Sequence, residues 1–273
     1  MNDTREQSAP ASALHHRLGE WVKFLLIVVA VALVIDRGSR HLEYNWQWFR
    51  IPPLILHGPD GAFASGLLYG LLVTLGIVAL GLPLALGAGL VTALLRLGRS
   101  MVATPLARVY LETIRNTPLL IQIYFMYFVV RPMLGLSGFV AALAALVLFE
   151  GAYMSEIVRA GIVSIHRGQW EAAQSLGLTR CQVWRYVILP QAGRRMLPAL
   201  VGQSISLIKD SALVSLVAIP DLTMKARELH ADLWLTFEIW FTVAAIYLVL
   251  TGGLSLVAGR LEKRLHTGVE AAQ

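Results

Sequence analysis

GAFASGLLYGLLVTLGIVALGLPLALGAGLVTALL, residues 61–95, holds no charged side chain in 35 positions. About 20 apolar residues cross a bilayer as a helix. The run is therefore too long for one perpendicular span and too short for two spans and a turn. Tilt, or a bend at Pro83 just after Gly81, takes up the excess. Residues 132–149 and 239–259 are likewise free of charge. Only 15% of the 273 residues are charged and 56% are hydrophobic, against about a quarter charged in a soluble domain. Water cannot satisfy open backbone groups in the bilayer core, so these runs are helices. The alternation of an outer-membrane barrel is absent. The reading is an all-α membrane protein.

About six transmembrane helices are expected: residues 21–35, a span within 64–95, then 106–130, 138–162, 198–219 and 233–259. The first is short, with Lys23 placed to snorkel to the interface. No cleavable signal peptide is evident, so this run reads as a retained helix behind a polar cytoplasmic tail, residues 1–20. A periplasmic linker follows at 36–63, with Trp46, Trp48 and three prolines. Orientation comes from the arginines, which collect in cytoplasmic loops. Arg96, Arg99 and Arg108 lie before the third span. Arg167, Arg180, Arg185, Arg194 and Arg195 lie before the fifth, and Arg260, Lys263 and Arg264 fall at the C-terminal end, with the tail proper at 262–273. The formal charge of +6 is thus a membrane topology signal and not a nucleic-acid footprint. The one cysteine, Cys181, permits no internal disulfide.

The segment before the fifth span, residues 166–198, reads HRGQWEAAQSLGLTRCQVWRYVILPQAGRRMLP. It is too polar to span and too regular to be slack. Glu171-Ala172-Ala173-Gln174 is a good helix former, with Glu171 expected in the first turn at the positive end of the dipole. Gly177 suits a helix C-terminus. A second helical run from Arg180 is expected to end at Leu189-Pro190, because proline lacks an N–H. A short helix, a turn and a second helix make an element able to dock in a groove of a soluble partner.

Glu171-Ala172-Ala173, then Gly177 after three residues, then Val187 after nine more and Leu189-Pro190, resembles the EAA signature of permease subunits in bacterial ATP-binding cassette importers. Arg115-Asn116-Thr117-Pro118-Leu119-Leu120 with Gln122 resembles the third-helix motif of the polar amino acid branch (histidine, glutamine and glutamate types). Ala152-Tyr153 with Glu156, Arg159 and Gly161 resembles its fourth-helix motif, and Lys209-Asp210-Ser211 the start of the next. The likeness covers roughly residues 69–261. It implies a type I importer permease core of five helices within 64–261, plus a cytoplasmic coupling helix in 166–198 and one additional N-terminal helix. It implies polar or charged L-amino acids as cargo, carried across the inner membrane. It implies an ATPase dimer, a second permease copy or homologous permease, and a periplasmic amino acid-binding protein as partners. ATP and magnesium belong to the ATPase. The chain itself holds no G-x-x-x-x-G-K-[ST], so no cofactor and no catalysis are expected of it, and no metal either. ATPase docking falls to Glu171, Ala172, Ala173, Gly177, Leu189 and Pro190. Glu171 contacts the partner or caps its own helix.

Charged groups at membrane depth are costly and face a cavity or a partner. Glu156 and Arg159, three apart, can pair. Glu150 shares a face with Tyr153 and is expected nearer the outer half of its helix. It either receives a substrate ammonium or contacts Arg115 or Lys209. Arg115, Asn116 and Thr117 precede Pro118, and interrupted helices often build transporter sites. Lys209 and Asp210 are a gate or a buried pair. An ion-coupled secondary transporter of small solutes shares this hydropathy, but it leaves the EAA segment unexplained and usually shows an internal repeat, which this chain lacks. No H-E-x-x-H or G-x-S-x-G supports a membrane enzyme.

Overall fold

The computed structural model describes residues 11–41, 44–98 and 100–270. Arg99 and the outermost residues of both expected tails lie outside the described residues. Every regular element among the described residues is helical. The chain divides at Gln47 into two units. The first contains one helix, α1, Ala11–His41, which carries the apolar run 24–35 and begins well before the expected Trp21.

The second unit starts at Trp48. The expected linker is partly helical here: a 3-10 turn leads into α2, Ile51–Leu56, whose Ile51 and Leu54 are buried. Then come α3 (Leu67–Leu97), α4 (Ala103–Arg115), α5 (Leu119–Leu134), α6 (Gly138–Val163), α7 (Arg167–Ser175), α8 (Arg180–Val217), α9 (Leu222–Leu233) and α10 (Thr236–Glu270). Among the described residues α3, α6, α8 and α10 are each long and apolar enough to cross a membrane, and α4 with α5 makes a fifth span bent by 106°. The second unit thus holds four such helices, and five spans when the bent pair is taken as one.

Helix α3 runs unbroken through Pro83. Its small residues let α6 approach closely. A Cβ on Gly89 would lie 2.8 Å from Met154 Cβ, and one on Gly151 would lie 3.0 Å from Ala88 Cβ. Such approach replaces the hydrophobic drive that lipid removes between helices. Around this contact Ile77, Leu119, Ile123, Leu146, Leu207 and Val214 form a buried core drawn from α3, α5, α6 and α8.

Three expectations need correction. The third span is not one helix, because Asn116-Thr117-Pro118 ends α4 and starts α5. The fifth span does not begin at residue 198. Helix α8 starts at Arg180, behind a Thr179–Gln182 capping box, and passes both Pro190 and Pro198. A wide π turn, Val183–Ile188, directly precedes Leu189-Pro190, with the Leu189 N–H donating to Trp184. That turn removes the clash of the proline ring with the carbonyl four residues back. Finally, the connection between the fifth and sixth spans is itself helical, as α9, Leu222–Leu233. Asp221 caps α9 by accepting from the Met224 N–H at 2.8 Å. Its carboxyl is buried and its Oδ2 lacks a hydrogen-bond partner among the described residues. Burial pushes it up to about 6.

Candidate functional site: a cytoplasmic coupling segment and a polar seam in the membrane

Helix α7 is nine residues long, and local chemistry sets both ends. His166 Nδ1 accepts from the Gly168 N–H at 3.0 Å and caps the start. Glu171 is the fifth residue, not part of the first turn as expected. It pairs instead with Arg167 one turn back, at 3.0 Å, with both side chains well exposed. Such an exposed pair contributes at most about 1 kcal/mol, so the carboxylate is free to exchange partners. At the other end Leu178 N–H donates to Ala173 O and Gly177 N–H to Gln174 O, at 3.3 and 2.9 Å. This is a Schellman ending, and it needs the left-handed backbone of Gly177, φ +77°.

The two alanines part company. Ala173 is 3% exposed and packs with Val158, Ile162, Val183, Ile188 and Ala192. Its small size seats α7 on its own chain. Ala172 is exposed, beside Glu171, Ser175 and Leu176. Leu176 is 81% exposed, a large apolar side chain left in water outside any span. Leu189 and Pro190 are exposed further along, on α8. The seat is held by further links: Gln191 Nε2 donates to Gln169 Oε1 at 3.1 Å, and Arg195 donates to Ser164 O at 2.6 Å. Helix α7 is thus packed against α6 and α8 and hydrogen-bonded to α8.

Within the spans, the structure sorts the predicted polar residues into two groups. The first surrounds Glu156. Arg159 donates to it twice, at 3.0 and 3.2 Å, and Arg96 from α3 pairs with its other oxygen. Arg115, at the end of α4, stands 3.8 Å away and lies over the Tyr153 ring, 5.5 Å from its centroid. One carboxylate thus ties α3, α4 and α6. Asn116 and Thr117 stay at the bend. Thr117 Oγ1 donates to Thr113 O at 2.9 Å, and Asn116 Nδ2 donates to Glu112 Oε2 at 3.1 Å. Gln122 Nε2, across the break, donates to Ile114 O at 2.7 Å and to Thr117 Oγ1 at 2.8 Å.

The second group is built on Glu150. It is the thirteenth of the 26 residues of α6, at mid-depth and not in the outer half. It is fully buried. Neither expected basic partner reaches it. Gln203 of α8 donates to its Oε2 at 2.7 Å, and Asp210 is near enough to interact with it electrostatically. Its Oε1 has no hydrogen-bond partner among the described residues. Lys209 is exposed, so Lys209 and Asp210 are not a buried pair. They close the α-helical part of α8, which tightens to a 3-10 helix at Ser211. Sequence reasoning missed Gln203 and Arg96. The one available signal for Gln203 was an amide inside an apolar span.

Comparison with known proteins places this arrangement. The profile of a family described as "Binding-protein-dependent transport system inner membrane component" matches residues 81–267. The glutamine transport system permease protein GlnP of Escherichia coli (strain K12) is 41% identical over 230 residues, 82% of this chain and 99% of that protein. The probable glutamine ABC transporter permease protein GlnP of Bacillus subtilis (strain 168) is also 41% identical, over 71% of this chain and 91% of its own length. A chain from the crystal structure of an amino acid ABC transporter with histidines superposes with a TM-score of 0.68 at 37% identity, covering 72% of this chain and 93% of that one. A chain of the inward-facing MetNI methionine ABC transporter shares the fold, with a TM-score of 0.63 at 21% identity. The protein belongs to the family of inner membrane permease components of binding-protein-dependent transport systems.

Proposed function

We propose that this permease carries polar amino acids inward, driven by ATP hydrolysed on a separate ATPase dimer that grips α7. The reading rests above all on α7 itself, a rigidly capped cytoplasmic helix. One face packs on α6 and α8 and the other presents Glu171, Ala172 and Leu176 to solvent. Gly177 fixes the turn, and Leu189 and Pro190 extend the exposed surface. Ala173 acts from beneath, by seating the helix. The chain is a non-catalytic subunit. ATP and magnesium sit on the ATPase, a periplasmic amino acid-binding protein delivers the cargo, and a second permease copy or a homologous permease completes the pathway. Helix α1 is an additional span that leaves the N-terminal tail in the cytoplasm.

The relatives named for glutamine support an amino acid cargo. Glu150, with a free oxygen at mid-depth, is suited to an α-ammonium group. Arg115, over Tyr153, is suited to an α-carboxylate. Asn116 and Thr117 hold the bend that places Arg115. Asp210 sets the charge beside Glu150, and Lys209 lies at the end of the pathway. The test is reconstitution with ATPase and binding protein in proteoliposomes. Uptake of labelled glutamine should require ATP, and Glu150→Gln should weaken or redirect amino acid selectivity. Uptake without nucleotide hydrolysis would overturn the ATP-driven reading; unchanged selectivity in Glu150→Gln would remove Glu150 from the pathway.

A further inference from the structure

A cavity of about 520 Å³ opens where α3 leaves the membrane, lined by Leu97, Gly98, Trp170, Gln174, Arg180, Val183 and Trp184. Its depth is fixed by α3, a spanning helix that stops at Leu97. That places the cavity at the cytoplasmic membrane–water interface. Its walls match that depth. Trp170 and Trp184 meet edge to face, with ring centroids 5.2 Å apart, and tryptophan favours the headgroup level. Leu97 and Val183 supply an apolar end, and Gln174 and Arg180 a polar mouth.

Arg180 is the decisive residue. No ion pair engages it among the described residues. The nearest carboxylate in sequence, Glu171, is taken by Arg167. Nor is Arg180 needed to cap α3, because Thr104 Oγ1 already donates to Leu95 O and Gly98 O at 3.1 and 3.2 Å. The surrounding segment, 166–198, holds five arginines and one acidic residue. A guanidinium without a counter-charge, beside an amide donor and two interfacial indoles, is a receptor for a phosphate diester.

We propose that this cavity binds the phosphate headgroup of an anionic phospholipid of the cytoplasmic leaflet, with Arg180 on the phosphate and the two indoles against the glycerol and upper acyl chain. Basic pockets beside spanning helices on this side suit such headgroups. Because Trp170 and Gln174 belong to α7, bound lipid stiffens the same helix that faces the cytosol. The site is separate from the polar seam and from the exposed face of α7.

Native mass spectrometry of the full chain with its ATPase, titrated with phosphatidylglycerol or phosphatidylcholine, tests this. Wild type should retain one phosphatidylglycerol per chain and no phosphatidylcholine. Arg180→Gln should weaken retention about fivefold, the effect of one basic residue near the surface. Arg185→Gln, an exposed arginine outside the cavity, should retain lipid as wild type does, and equal melting temperatures exclude misfolding. Equal retention by Arg180→Gln and wild type would overturn the proposal. So would displacement of the lipid by millimolar inorganic phosphate, which identifies a free-anion site, or its loss whenever the ATPase is bound, which identifies a partner-filled cavity.

Discussion

Glu156→Gln tests the charge arrangement most directly. The mutation keeps side-chain shape but removes the one carboxylate shared by Arg96, Arg159 and Arg115. Three guanidinium groups from three helices are then left facing one another. Deleting one partner of a fully buried ion pair costs about 3–5 kcal/mol. Here the side chains of Arg96, Arg159 and Arg115 are 20%, 34% and 44% exposed, so solvent screens the two more exposed ones. We expect about 2–3 kcal/mol, or roughly 4–10 °C in melting temperature for a chain of this size. Thermal unfolding in nanodiscs at low and high salt is the assay. Added salt should narrow the gap to wild type, since it screens the released repulsion. The double mutant Glu156→Gln/Arg159→Gln should recover part of the loss. Wild-type stability in Glu156→Gln, or a double mutant worse by the full sum of the singles, would refute the claim that one carboxylate balances three cations.

Gly177→Ala adds a Cβ that meets no atom within 4 Å, so its cost is conformational only, about 1–2 kcal/mol for a left-handed residue. It should loosen α7 locally and weaken ATPase co-purification without lowering global melting; intact co-purification with both this variant and Glu171→Arg would contradict docking through α7. Gly89→Leu drives side-chain atoms into Met154 and the Gly151 carbonyl and should cost at least about 3 kcal/mol, seen as loss of folded protein in detergent. Asp221 gives a pH effect with a definite sign. Its carboxyl is raised from 3.8 to about 6 in the fold, so the folded chain holds a proton that the unfolded chain has released. The stabilisation is full below about pH 4 and lost as pH rises through 6. The stability difference between wild type and Asp221→Asn should therefore move by up to about 3 kcal/mol in favour of the asparagine between pH 4 and 7.5; a flat difference would count against the burial.

The spanning core and the capped α7 were legible in the sequence because each rests on short-range rules. Charge-free runs of the right length mark α3, α6 and α10. Gly177 marks the left-handed end of α7 from its own chemistry. The Glu156–Arg159 pair within one helix was legible from its spacing, but the partners across helices were not. Glu150 meets Gln203, 53 positions away, and Glu156 meets Arg96, 60 positions away. Which residues face each other across two helices depends on packing rotation, which periodicity within one helix leaves undetermined.

The prolines show the same limit from another side. Pro83, Pro190 and Pro198 lie within helices and Pro118 lies between two, and each removes one backbone donor. Only Pro118 breaks its span, by 106°. A bend frees carbonyls, and in a membrane freed carbonyls need new donors. At Pro118 those donors are at hand. Gln122 Nε2 serves Ile114 O and Thr117 O, and Thr117 Oγ1 serves Thr113 O. At Pro190 the strain is absorbed instead by the π turn before it, and α8 continues. The decision between bend and continuation thus lies not in the proline alone but in what surrounds it: donor side chains on both sides of Pro118, and a π turn ahead of Pro190. By this argument Gln122→Leu should weaken the bend and displace Arg115 from Tyr153 and Glu156. An engineered cysteine pair spanning Arg115 and Tyr153, read by cross-linking rate, would report the displacement. An unchanged rate would show that the bend stands without its amide clasp.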